Sequence, residues 1–94
     1  MALFAVEYTY SDKTAGARDE RRPDHRGWLS GLVADGTVLA TGPWTDGTGA
    51  LIVIDVADEA AARELMAQDP FAQADLIDAV RITGWLPVMG VFND

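Results

Sequence analysis

The chain holds a single histidine, His25, and one aspartate in an unusual setting, Asp69. Asp69 precedes Pro70, and a residue before proline is pushed out of the α region. A helical pattern therefore runs up to Ala67-Gln68-Asp69-Pro70-Phe71 and must stop there. This parks a carboxylate at the end of a rigid element, beside an aromatic ring. An imidazole next to a carboxylate can serve as a general base, with the carboxylate fixing its tautomer. Each residue also has a plainer reading. His25 can be a structural histidine bonded to backbone or to an aspartate. Asp69 can simply cap a following turn through Pro70 and Phe71. It nevertheless sits badly at a helix C-terminus, where the dipole disfavours negative charge. A nearby imidazole or arginine would relieve that conflict.

Cationic side chains crowd the segment around His25. Residues 11–26 carry Lys13, Arg18, Arg21, Arg22 and Arg26 against Asp12, Asp19, Glu20 and Asp24. From Gly27 onward only Arg63 and Arg81 face ten acidic residues. One of Arg21, Arg22 and Arg26 is thus a candidate anchor for an anionic group; the alternative is a solvated segment with internal ion pairs. Gly42-Pro43-Trp44 opens a glycine-rich connector that lacks the Gly-Lys-Ser/Thr of a phosphate-binding loop. Trp44 is either packing in a hairpin loop or, with Phe71, the wall of a cleft near His25. One histidine and scattered carboxylates have no metal-ligand spacing, so neither a metal nor another cofactor is expected. No serine or lysine lies in a nucleophile motif.

The elements that must position these residues belong to one domain, residues 1–94. A domain of this size buries roughly 60–65% of its surface, and oligomerisation often supplements so small a core. There is no cysteine, hence no disulfide framework and no thiol chemistry. The N-terminal stretch lacks a signal-peptide pattern, and no apolar run is long enough to cross a bilayer. The expectation is a soluble, cytoplasmic protein. A net charge of −8 argues against nucleic acid and anionic membrane as partners.

Residues 3–10 alternate as a strand, with Phe4, Val6, Tyr8 and Tyr10 on one face. Residues 11–20 read as a polar loop. Pro23 suits the first turn of a helix that ends at Asp35-Gly36, with His25, Trp28, Leu29, Leu32 and Val33 as its apolar stripe. Gly27 and Gly31 weaken that helix, and close approach of another backbone would explain them. Strands follow at residues 38–41 and 50–56, then a helix capped by Asp55 or Asp58 and running to about Gln68. A further short turn or helix comes next, and a last strand at residues 80–85.

The order β-α-β-β-α-β describes a ferredoxin-like α+β sandwich with an antiparallel sheet. Residues 50–56 are apolar on both faces, and two helices cover only one face of a sheet. A second copy is therefore expected to cover the other, giving a homodimer packed sheet to sheet. Residues 86–92 hold five apolar side chains and are expected to pack on the body or on the partner subunit. In this fold the two helices lie antiparallel. The start of the first then nears the end of the second, and His25 should reach Asp69.

Arg22-Pro23-Asp24-His25 leading into Trp28-Leu29, then Gly36, Gly42-Pro43, Gly49-Ala50-Leu51-Ile52-Val53 and Asp69-Pro70-Phe71 together resemble the YciI-like (YCII-related) family. The resemblance spans residues 3–85. It implies a ferredoxin-like fold dimerised as a dimeric α+β barrel, and a His–Asp active site carried by His25 and Asp69. It also implies lyase, isomerase or dehalogenating chemistry on a small cyclic molecule. The reading that follows is an acid–base enzyme. His25 moves a proton, Asp69 orients it, Arg22 or Arg26 holds an anionic group, and Trp44 and Phe71 wall the cleft. The alternatives are a non-catalytic small-ligand-binding domain and an accessory subunit.

Overall fold

The computed structural model describes residues 2–92. Strand β1 (Ala2–Thr9) leads through a 3-10 turn (Asp12–Thr14) into α1 (Ala15–Ala34). The hairpin β2 (Val38–Pro43) and β3 (Gly49–Val56) follows, then α2 (Glu59–Met66), the single turn α3 (Pro70–Gln73) and β4 (Ala79–Trp85). The strands form one antiparallel sheet in the order β2-β3-β1-β4. This is the expected ferredoxin-like sandwich.

Period-two alternation decides which side chains meet the helices. Phe4, Val6 and Tyr8 of β1 lie opposite Ile54, Ile52 and Ala50 of β3, and all six are buried with Leu29 of α1 and Ala62 and Met66 of α2. Leu3, Ala5 and Glu7 share the other face with Asp55, Val53 and Leu51. Thr83, Arg81 and Trp85 of β4 extend that open face. Gly49 is required by contact rather than by φ: a Cβ there would stand 1.9 Å from the Tyr8 carbonyl oxygen. Asp58 caps α2, its Oδ1 accepting from the Ala61 amide at 2.8 Å.

Two expectations are corrected and a third, the packing of the tail on the body or on a partner subunit, is narrowed. Residues 11–20 are not a loop, because α1 starts eight residues before Pro23 and runs through it. Tertiary anchoring overrides the proline signal. Arg18 is 5% exposed, donates to the Ser11 carbonyl at 3.1 Å, and lies 4.2 Å over the Tyr10 ring. Gly27 and Gly31 meet no neighbouring backbone; a Cβ at either would find nothing within 4 Å. The apolar tail does not bury itself on the body. Leu86, Met89 and Val91 are 84%, 86% and 92% exposed, although Phe92 packs edge-on against Trp85.

Candidate functional site

His25 and Asp69 meet, for a different reason from the one expected. His25 lies in the middle of α1 rather than in its first turn. Helix α2 ends at Met66, and Asp69 is instead the N-cap of α3. Neither residue thus sits at the helix end expected of it. What joins them is the packing of α1 on α3: the His25 and Phe71 rings stack with centroids 3.9 Å apart and planes 3° from parallel.

Asp69 is fully buried, and an unpartnered charge there would be very costly. Three groups satisfy it. Its Oδ1 accepts from the Phe71 amide at 2.9 Å and lies 2.7 Å from Nδ1 of His25. Its Oδ2 accepts from the Tyr8 hydroxyl at 2.7 Å. With Asp69 ionised, the carboxylate is an acceptor throughout, and Nδ1 of His25 then carries the ring proton and Nε2 the lone pair. Nε2 makes no hydrogen bond to the described residues. Capping and pairing, which looked like alternatives, are both made by the same oxygen.

His25 opens onto a cavity of about 410 Å³ whose lining includes Tyr10, Arg22, Arg26, Leu29, Pro43 and Phe71. Arg22 is tied to Asp19 of its own helix. The Arg26 guanidinium has no partner among the described residues. Trp44 is not part of this wall. It sits in the β2–β3 hairpin, its ring beside Gly49, and is 40% exposed. Arg21 lines a separate shallow groove with Asp24, Pro70 and Gln73.

Two tyrosines complete the site and were read from the sequence only as one strand face. Burial, with the Asp69 charge and its hydrogen bond, pushes the Tyr8 hydroxyl far above the ordinary tyrosine range. Tyr10 is raised first by burial and then by Asp69, while Arg18 and Arg22 pull it back. The available signal was their position: a tyrosine on a covered sheet face ordinarily finds a partner for its hydroxyl.

The arrangement places His25, its ring held through Nδ1, in the lining of a cavity that also takes in Arg22, one helical turn before it on α1, and Arg26, the residue after it. Among the described residues no helix is long and apolar enough to cross a membrane.

Comparison with solved structures supports the fold. The chain resembles 5-chloro-2-hydroxyhydroquinone dehydrochlorinase from Burkholderia phenoliruptrix, solved with 2,5-dihydroxybenzoquinone, at a TM-score of 0.80 and 22% identity over 98% of this chain and 99% of that one. It also resembles a putative antibiotic biosynthesis monooxygenase from Bacteriodes thetaiotaomicron at a TM-score of 0.52 and 15% identity, covering 94% and 90% of the two chains. At these identities the likeness is one of fold. No match is found among curated proteins. The profile of the YCII-related domain matches residues 2–86; with β1, α1 and the Asp69 turn all inside that span, the chain belongs to the YCII-related family.

Proposed function

We propose that this protein is a small acid–base enzyme acting on a compact cyclic molecule with an anionic or acidic substituent. Nε2 of His25 takes a proton from the substrate, and Asp69 holds the ring and stabilises the imidazolium that forms. Arg26, with Arg22 behind it, receives the negative charge of the substrate. Leu29, Pro43 and Phe71 offer apolar walls to a ring. The observation that carries this reading is the tethering of the only histidine by a fully buried carboxylate in the lining of a cavity shared with Arg26, neither Nε2 nor that arginine having a partner among the described residues. A dehydrochlorinase of the same fold, solved with a dihydroxyquinone, supports proton removal from a hydroxylated ring, with loss of a leaving group, as the reaction class.

We infer further that two protomers pack through their open sheet faces. The apolar residues Leu3, Ala5, Leu51 and Val53 on that face support the pairing.

The experiment is a binding screen of small hydroxylated and carboxylated rings, 2,5-dihydroxybenzoquinone included, on the native protein, His25→Ala, Arg26→Ala and Trp44→Ala. Ligands should be lost in the first two variants and kept in the third. Turnover of any ligand separates an enzyme from a binding domain. Equal binding to native protein and His25→Ala would refute the site.

A further inference from the structure

We propose that Tyr8 is a positioning residue of this site: by donating its hydroxyl to Oδ2 of Asp69, it holds the carboxylate in its ionised form and thereby selects the His25 tautomer with a free Nε2. The inference rests on the proposed function in one respect only, that Nε2 is the working nitrogen.

Two proton arrangements are open to a buried Asp–His pair. In one, an ionised Asp69 accepts from Nδ1–H and Nε2 keeps its lone pair. In the other, a neutral Asp69 donates its proton to Nδ1, and Nε2 carries the hydrogen and cannot act as a base. Among the described residues Asp69 pairs with no arginine or lysine, so cation pairing does not decide between them. Hydrogen bonds to the carboxylate do, because a donor binds an ionised oxygen about twice as strongly as a neutral one. Phe71 supplies one such donor to Oδ1. Tyr8 supplies the one to Oδ2, at 2.7 Å.

Tyr8 is well placed for this role. It is 1% exposed and stands on the central strand β1, between β3 and β4. Its Cα partners there are Ala50 and Val80, so the hydroxyl is aimed by a rigid element. Its raised proton affinity keeps it a donor rather than a phenolate. Tyr10, two residues along, makes no hydrogen bond through its hydroxyl to the described residues and provides an internal control.

The test exploits the single histidine. In ¹⁵N-labelled protein, at a pH well above the imidazole range, nitrogen–proton correlations of that one ring report its tautomer directly. Native protein and Tyr10→Phe should show the Nδ1–H form. In Tyr8→Phe, which keeps the ring and its packing, the Nε2–H fraction should rise about tenfold, as expected for loss of one charge-assisted hydrogen bond. A merely structural role would alter the melting temperature without moving the tautomer. Should Tyr8→Phe fail to fold, 3-fluorotyrosine at position 8 keeps the hydroxyl, makes it more acidic, and should displace the His25 nitrogen resonances. An unchanged tautomer in Tyr8→Phe, or unmoved resonances with the fluorinated residue, would overturn the proposal while leaving the site intact. Loss of the site itself is read separately, by ligands that bind without His25.

Discussion

Raising the pH should erase the stability difference between native protein and Tyr8→Phe. Near neutrality the variant leaves Oδ2 of Asp69, in a fully buried residue, without its 2.7 Å donor. An unmet buried acceptor costs about 1–3 kcal/mol. The native protein meets its own penalty at high pH. In the unfolded chain Tyr8 loses its proton at the ordinary value of 10.0, whereas in the folded protein burial, with Asp69 beside it, holds the proton on far above that. The folded proton affinity is raised, so the stability from this group is complete below pH 10.0 and falls as pH rises beyond it. The slope is about 1.4 kcal/mol per pH unit for one such group. Phenylalanine has no proton to lose, and all other groups titrate in both proteins. The gap of about 1–3 kcal/mol therefore closes between about pH 11 and 12. Urea unfolding of both proteins at a series of pH values measures it. Curves that stay parallel above pH 10.0 would show that Tyr8 is not a buried donor to Asp69.

Four further outcomes are expected. Gly31→Ala should stabilise the protein by about 0.5–1 kcal/mol in thermal unfolding, since its Cβ meets nothing within 4 Å and alanine favours the helix. Asp58→Ala should cost about 1 kcal/mol in the same assay by removing the α2 cap. Leu51→Asp, on the open sheet face and only partly buried in the single chain, should give a folded monomer in sedimentation at micromolar concentration, whereas Ile52→Asp, in the core, should not fold; a native protein that sediments as a monomer would remove the sheet-to-sheet pairing. Deleting the chain from Leu86 onward should lower the melting temperature only under conditions where the native protein is dimeric.

The strands were legible because they announce themselves locally. β-Branched residues and period-two alternation place Ile52 and Ile54 on one face and Val53 on the other. The start of α1 was not legible. Pro23 and a polar, charged approach signal a beginning, and what extends the helix is Arg18 reaching the Ser11 carbonyl and the Tyr10 ring, a contact between elements that no local pattern encodes. The meeting of His25 and Asp69 was anticipated from topology through helix ends that lie elsewhere. The actual cause is the stack of His25 on Phe71, a residue assigned to the same cleft. Trp44 was offered either as packing in a hairpin loop or as a wall of that cleft; the tight hairpin, with the Trp44 amide donating to the Gly49 carbonyl at 2.9 Å, holds it outside the cavity lining, its ring beside Gly49. Tyr8 was legible as core but not as a donor, since a period of two places a side chain on a face without saying what its tip touches.

The double duty of Asp69 bears on how the site is to be dissected. The same Oδ1 caps α3 through the Phe71 amide and orients His25. Removing the carboxylate therefore loosens the turn that seats Phe71, and with it the ring against which His25 stacks. A variant at Asp69 would lose ligand binding whether the pair is chemical or structural. His25 also packs, through its stack on Phe71, but the hydrogen bonds that build the turn do not pass through it. Among the described residues its side chain makes one hydrogen bond, through Nδ1, and its removal leaves the Asp69 cap and the Tyr8 donor in place. Function is accordingly read at His25, and the electrostatic support for it at Tyr8. At Asp69 the two cannot be told apart, because one oxygen serves the fold and the site together.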